Sequence, residues 1–287
     1  MTIRRNTQRL SLSKLGSLAE SLVLQILLFG GSLIMLIPFV WMVSSALKQE
    51  SQVFIYPPQW IPDPIVWDNL QVAWNSFPMG RYYLNSMFIA SAIVVGQLLR
   101  GILAAYVFAR LRFPGKNIIF MGFVATMMIP RQVTMIPSFL ILRNLHWIDK
   151  YQGIIVPALS HPFGIFLLRQ FFLSIPTDLE DAACIDGCSR LGVLFRIILP
   201  LSKGVVSTLT VFVFMSSWNA FLWPLIVLNT QEKFTIQIGL AMLRDEMGTN
   251  WAILMAATFL ATLPVILLYL VAQKQIVRGI TLTGLKY

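Results

Sequence analysis

The chain has 287 residues, of which 57% are hydrophobic and 12% charged, and its mean hydropathy is +0.74. Soluble domains carry about 25% charged residues, so this composition excludes an ordinary water-soluble fold and points to an integral membrane protein. The formal net charge of +10 does not make it a nucleic-acid binder, because Lys and Arg punctuate apolar runs instead of gathering on one solvated face.

A hydrocarbon core about 30 Å thick needs about 20 predominantly apolar residues per helix. Runs at residues 18–46, 84–108, 118–142, 153–172, 205–228 and 251–271 meet that need and predict an all-α membrane protein with six transmembrane helices. The first run follows Arg4, Arg5, Arg9 and Lys14, like a signal peptide. Its length, and its continuation through Pro38-Phe-Val-Trp without a small-residue cleavage site, predict a retained helix. After it comes a long loop, 47–83, with Pro57-Pro58, Pro62 and Pro64, whose Trp60, Trp67 and Trp74 suit the membrane interface.

Positive charge orients the spans. With the N-terminus inside, the inner segments hold Arg4, Arg5, Arg9 and Lys14; Arg110, Arg112 and Lys116; Arg169, Arg190, Arg196 and Lys203; and Lys274, Arg278 and Lys286. The outer segments hold Lys48, Arg81, Arg143, Lys150, Lys233 and Arg244, fewer than half as many. Both termini are therefore predicted to be cytoplasmic. The domain order is a basic start (1–17), a membrane domain (18–272) with a cytoplasmic insert (177–200), and a cytoplasmic tail (273–287).

The insert contains EDAACIDGCSRLGVLFRIILP, residues 180–200. Thr177 is placed as an N-cap with Glu180 as its capping-box partner, and Gly187 can end the helix in a left-handed conformation. A short helix over 178–186 results, its middle lined by Ala182 and Ala183, whose small side chains let another surface approach closely. A second helix is predicted from Ser189, exposing Arg190 and Arg196 and reaching Pro200. A helix lying in the lipid interface would carry Trp, Phe or Leu opposite Lys or Arg; acids and alanines leave a solvated acidic face or a protein-docking helix.

Cys184 and Cys188 have no His close by, and His146 and His161 are the only histidines, so no four-ligand metal site is expected. No G-x-x-x-x-G-K-[ST] phosphate loop occurs; Gly115-Lys116-Asn117 lacks both the glycine spacing and the hydroxyl. By this reading all twelve acids sit in loops or at span ends: Glu20, Asp178, Glu180, Asp181 and Asp186 inside, and Glu50, Asp63, Asp68, Asp149, Glu232, Asp245 and Glu246 outside. An ion-coupled secondary transporter, the rival of another class, would need intramembrane carboxylates or an ion cage. A membrane enzyme would need a His, Asp or Cys cluster, and none is visible.

Asp181-Ala182-Ala183, three residues, Gly187, nine residues, then Ile197-Ile198-Leu199-Pro200 resembles the EAA motif of bacterial ABC-importer permeases. The departure is Asp181 in place of the motif glutamate, with Glu180 one residue earlier. The stretches FGIFLLRQFFLSIP (163–176), Trp218-Asn219 with Phe221-Leu222-Trp223-Pro224, and Arg278-Gly-Ile-Thr-Leu-Thr-Gly-Leu-Lys286 are similar to the second permease of the carbohydrate-uptake, maltose-type subgroup. The resemblance implies a type I permease fold in the bacterial inner membrane. It also implies a second homologous permease, two ATP-binding subunits and an extracytoplasmic solute-binding protein as partners.

By that resemblance the substrate is a di- or oligosaccharide, glycoside or polyol, with glycerol 3-phosphate the alternative. This chain is not itself an enzyme, and ATP and Mg are used by the partner ATPase. The insert becomes the coupling helix, with Glu180, Asp181, Ala182, Ala183, Asp186 and Gly187 as the joint to that ATPase. For the substrate path, Trp218 and Asn219 offer an indole platform and an amide to a sugar ring, with Ser216, Gln132 and Arg131 as further candidates. Arg100, near the middle of the second span, is read as structural. Pro130, Pro137, Pro157, Pro224 and Pro264 in or near spans require neighbours that satisfy the carbonyls they free. The outer segment 229–250 is long enough to reach the solute-binding protein.

Overall fold

A computed structural model describes residues 4–244 and 248–284, with side chains for 20–244 and 248–274. The side chains of Arg4, Arg5, Arg9, Lys14 and Arg278, and all of Asp245, Glu246 and Lys286, lie outside the described residues. The described residues are helical without strands. The chain divides into two compact units, Met1–Ala73 with Asn250–Phe259, and Trp74–Thr249 with Leu260–Tyr287.

The first unit is built on α1, Arg4–Ala46. Nearly every apolar side chain from Leu22 to Val40 is exposed, the state of a helix meant to face lipid or another subunit. Its end is tied to the following segment. Ser44 Oγ donates to the carbonyl of Trp60 at 2.5 Å, and the Asn69 amide on α2 (Asp68–Asn75) donates to the carbonyls of Ala46 and Lys48. Lys48 is buried, bonded through Nζ to the Gln59 carbonyl and lying 4.2 Å over the Trp41 ring. Burial pushes its ammonium below the ordinary lysine range.

The second unit is organised by α3, Met79–Arg110, which packs against α6 (Gln152–Leu159), α7 (Pro162–Ser174) and α11 (Lys203–Trp218). Leu168, Phe172, Ala90, Ala105 and Leu209 form its buried centre. Among the described residues, four helices are long and apolar enough to span a membrane: 20–46 of α1, α3, residues 152–174, and 251–274 of α14 (Trp251–Gly284).

The other two expected spans are not straight. The run at 118–142 is α4, Lys116–Thr126, and α5, Arg131–Asn144, bent by 97° across Pro130. The run at 205–228 ends as a helix at Trp218, breaks over Asn219–Phe221 and resumes as α12, Leu222–Val227. The fourth expected span is also interrupted, at Ser160-His161, because Pro162 opens α7 and can make no helical hydrogen bond back.

Proline in a helix orphans the carbonyl four residues earlier. Pro162 frees that of Ala158, and Gln97 Nε2 on α3 donates to it at 2.7 Å. Pro157 frees Gly153, whose carbonyl accepts from Trp223 Nε1 at 3.2 Å. Pro264 in α14 frees Leu260, whose carbonyl accepts from the Tyr83 hydroxyl, and the neighbouring Ala261 carbonyl accepts from Trp218 Nε1 at 3.1 Å. Arg100, whose role the sequence leaves at structural, donates through Nη1 to Ser160 Oγ at 3.2 Å at the α6–α7 break.

Candidate functional site

The insert forms α8, Asp178–Ile185. Its N-terminus differs from the expected capping box, since Thr177 makes no side-chain capping bond. Glu180 instead turns inward, 4% exposed, and its Oε1 pairs with Nε of Arg110 at the end of α3. A buried guanidinium holds a carboxylate more strongly than one backbone N–H does. Arg110 Nη2 also donates to the Ile175 carbonyl at 2.6 Å, so one side chain gathers α3, the end of α7 and α8.

The C-terminus follows expectation. Gly187 has φ +81; its N–H donates to the Cys184 carbonyl at 3.1 Å, and the Cys188 N–H donates to that of Ala183 at 2.9 Å. This pair of bonds is a Schellman closure.

α8 therefore has two faces. Glu180, Ala183 and Cys184, spaced i, i+3, i+4, turn to the bundle, Ala183 and Cys184 packing on its core. Asp178, Asp181, Ala182 and Ile185 form the opposite, exposed stripe, continued by Asp186 and Gly187. Ile185 is 86% exposed, an apolar side chain at the end of an acidic stripe; its exposure could have been anticipated from its place three residues after Ala182, on the face opposite Glu180.

Beyond the Schellman turn, Ser189 caps α9 (Arg190–Val193), its Oγ accepting from the Gly192 N–H at 3.2 Å. A π-helical stretch, Leu194–Ile198, and α10, Leu199–Leu201, follow, and the chain bends 80° into α11. The π stretch lies on the Ile-Leu-Pro end of the motif, where Pro200 removes a backbone donor.

The expected path residues separate. Trp218 is 1% exposed, its indole N–H committed to Ala261 and its ring stacked on Phe214 and edge-on to Tyr83. It has neither polar atom nor free ring face for a solute, which corrects the platform reading. Asn219 and Ser216 are exposed. Asn219 Oδ1 accepts from Gln237 Nε2 at 3.4 Å across to α13, Ile236–Met242, a partner the sequence reading missed. Arg131 and Gln132 are exposed on the first turn of α5; no hydrogen bond joins them to Asn219 or Ser216 among the described residues.

Near the N-terminal end of α3 a second polar network anchors the strap before α13. The Asn85 amide donates to the carbonyls of Glu232 and Phe234, both at 2.9 Å, and accepts from the Tyr151 hydroxyl; Ser86 Oγ accepts from the Ile236 N–H. Asp149, at φ +56, accepts from the N–H groups of Asn229 and Thr230, from the Thr230 hydroxyl and from Lys233 Nζ.

Burial alone would raise the Asp149 carboxyl, but these donors hold it well below the usual carboxylate range. A depressed folded-state value stabilises above the unfolded value of about 4, and the contribution fades as pH falls below it. Asp149→Asn should therefore melt earlier than the parent at pH 6, and the gap should begin to narrow as detergent-solubilised protein is scanned from pH 6 to pH 3. A gap that stays constant with pH would mean the carboxylate charge is not what holds the strap.

No group of His, Cys, Asp and Glu able to hold a metal occurs among the described residues.

The chain is similar to several known proteins. Residues 97–282 match the family described as "Binding-protein-dependent transport system inner membrane component". The chain is 36% identical over 258 residues to an arabinooligosaccharides transport system permease protein of Bacillus subtilis (strain 168), covering 89% of this chain and 92% of that protein. It is 35% identical over 263 residues to an sn-glycerol-3-phosphate transport system permease protein of Yersinia pestis bv. Antiqua (strain Antiqua), covering 89% and 94%. A chain of a bacterial ABC transporter involved in the import of the acidic polysaccharide alginate superposes with TM-score 0.78 and 26% identity, over 88% of this chain and 95% of that one. A second structure, of a bacterial alginate ABC transporter in complex with alginate pentasaccharide-bound periplasmic protein, shares the fold at TM-score 0.64 and 15% identity.

Proposed function

Because this chain belongs to the family of binding-protein-dependent transport system inner membrane components, we propose that it carries a carbohydrate, delivered by a solute-binding protein, across the inner membrane as one half of the path of an ABC importer. The observation that carries this reading is the match over residues 97–282, which includes α8 and the bent entry into α11. A neutral or acidic saccharide is the first substrate class, on the names of the arabinooligosaccharide and alginate relatives. Glycerol 3-phosphate is the second, on the 35% identical relative.

In this mechanism the partner ATPase seats the exposed stripe of α8 in a groove, and ATP with Mg acts there, not on this chain. Closure of the ATPase displaces α8. The buried Arg110–Glu180 pair passes that displacement to the end of α3, and α3 is packed along α6, α7 and α11, so the bundle responds as a body. Asn219 and Ser216, both exposed, with the half-buried Gln237 bonded to Asn219, are the polar groups this chain offers to the solute.

The test is purification of the complex with everything it retains, followed by ATPase assay with the binding protein and either arabinooligosaccharide, alginate oligosaccharide or glycerol 3-phosphate. Recovery of a second permease and an ATPase, with hydrolysis stimulated by one solute class, is the expected result. A lone chain whose transport follows an ion gradient would overturn it.

A further inference from the structure

A wide-open surface cavity of about 470 Å³ lies at the same end of α3 as the Arg110–Glu180 pair, and the coupling mechanism does not use it. Its charged lining residues are Arg112, Lys116 and Arg169, and no carboxylate lines it. Two of the three cations are fixed in place. Lys116 Nζ donates to the carbonyls of Ala109 at 3.3 Å and Leu111 at 2.9 Å, and Arg169 Nε donates to that of Phe108 at 3.1 Å while its guanidinium lies 4.0 Å over the Phe120 ring.

These bonds leave donors to spare. Lys116 has three and uses two; the terminal nitrogens of Arg169 make no hydrogen bond among the described residues, and the exposed Arg112 has neither hydrogen bond nor ion pair among them. Glu180, the acid at this end of α3, is committed to Arg110. Three cations converging on one cavity repel each other until an anion enters. Asn117 adds an exposed amide to the same wall.

The neighbouring surface says which anion fits. α4 exposes Ile118, Ile119 and Met121 directly after these cations, and Phe113 also lines the cavity. A soluble anion gains nothing from that apolar face, whereas an acyl chain can lie along it. Basic pockets between transmembrane helices bind anionic lipid headgroups in this way. We propose that Arg112, Lys116 and Arg169 form a phosphate site for the headgroup of an anionic phospholipid. The site requires only that the chain lie in a membrane, so it is independent of the solute assigned above.

The assembled transporter would be reconstituted in vesicles of mixed phosphatidylcholine and phosphatidylglycerol and re-extracted, and its retained lipids quantified by mass spectrometry. Phosphatidylglycerol should be enriched over its share of the vesicle. Arg112→Gln should lower that enrichment about fivefold, the effect expected of one basic residue at an anionic surface. Asn117→Asp, at an exposed position that leaves the packing alone, should lower it at least as much by placing a carboxylate in the wall. The proposal fails if phosphatidylglycerol is not enriched, or if neither variant changes the enrichment. It fails equally if free glycerol phosphate, added at extraction, displaces the lipid mole for mole, since the site would then belong to a soluble anion.

Discussion

Glu180→Ala is expected to abolish solute uptake by the assembled transporter while its ATPase continues to turn over without regard to solute. The carboxylate and its partner guanidinium are 5% and 7% exposed, so removing one leaves the other buried and uncompensated. Breaking a buried pair costs about 3–5 kcal/mol, enough to free α8 from the end of α3 by about two to four powers of ten. The exposed stripe can still meet the ATPase, but its motion no longer reaches the bundle. A control separates strut from charge. Replacing both partners by apolar residues, Arg110→Met with Glu180→Leu, should recover part of the uptake, because well-packed apolar pairs often replace buried ion pairs at little cost. Recovery should be incomplete, since the Ile175 carbonyl also loses its donor. Uptake and its coupling to ATP hydrolysis, measured in proteoliposomes, decide the matter; unchanged coupled uptake in Glu180→Ala would remove the strut from the mechanism.

Ala182→Trp should produce the opposite combination: an intact permease that no longer holds its ATPase. Ala182 is exposed on the outward stripe, between Asp181 and Ile185, and surface substitutions away from packed features change stability by about 0.5 kcal/mol or less. At a close interface the added indole must be accommodated by the partner. Overpacking of this kind costs about 1–3 kcal/mol, or roughly five- to 150-fold in association. The neighbouring Ala183 gives the contrast. It packs on the core, so Ala183→Leu should lower the melting temperature of the permease itself. Retention of the ATPase on an affinity column and thermal unfolding of the permease, measured on both variants, distinguish the faces. Normal retention with Ala182→Trp would show that the exposed stripe is not the docking surface.

The helical insert was legible because its signals are local. Acids, two alanines and a glycine within ten residues dictate a short helix with a left-handed end, and Gly187 adopts it at φ +81. The direction of Glu180 was not legible, because its partner lies seventy residues earlier on α3. The capping-box reading failed for the same reason: a local acceptor role lost to a distant guanidinium. Trp218 failed similarly. Beside Ser216, Ser217 and Asn219 it looked like a ring platform, yet Pro264 disturbs the α14 backbone where the Ala261 carbonyl takes its indole N–H.

Prolines were visible as breaks in waiting, but which side chains would meet the carbonyls they free was not. Gln97, Tyr83 and Trp223 do so from other helices, and no spacing along the chain relates donor to acceptor. Run length likewise left open where, and how sharply, the third and fifth spans bend. Hydropathy counts apolar residues and is indifferent to a 97° bend at Pro130 or a break at Asn219.

By itself, then, the sequence determined the membrane environment, the all-helical class, the position of the helical insert and its resemblance to importer permeases, because composition, apolar run length and short motifs are properties of neighbouring residues. Only the tertiary structure decided which face of α8 is exposed, which residues near Asn219 are exposed, and which cations share a cavity. Each of those depends on polar groups in a low-dielectric interior finding partners far along the chain, where an unmet donor or charge costs too much to leave alone.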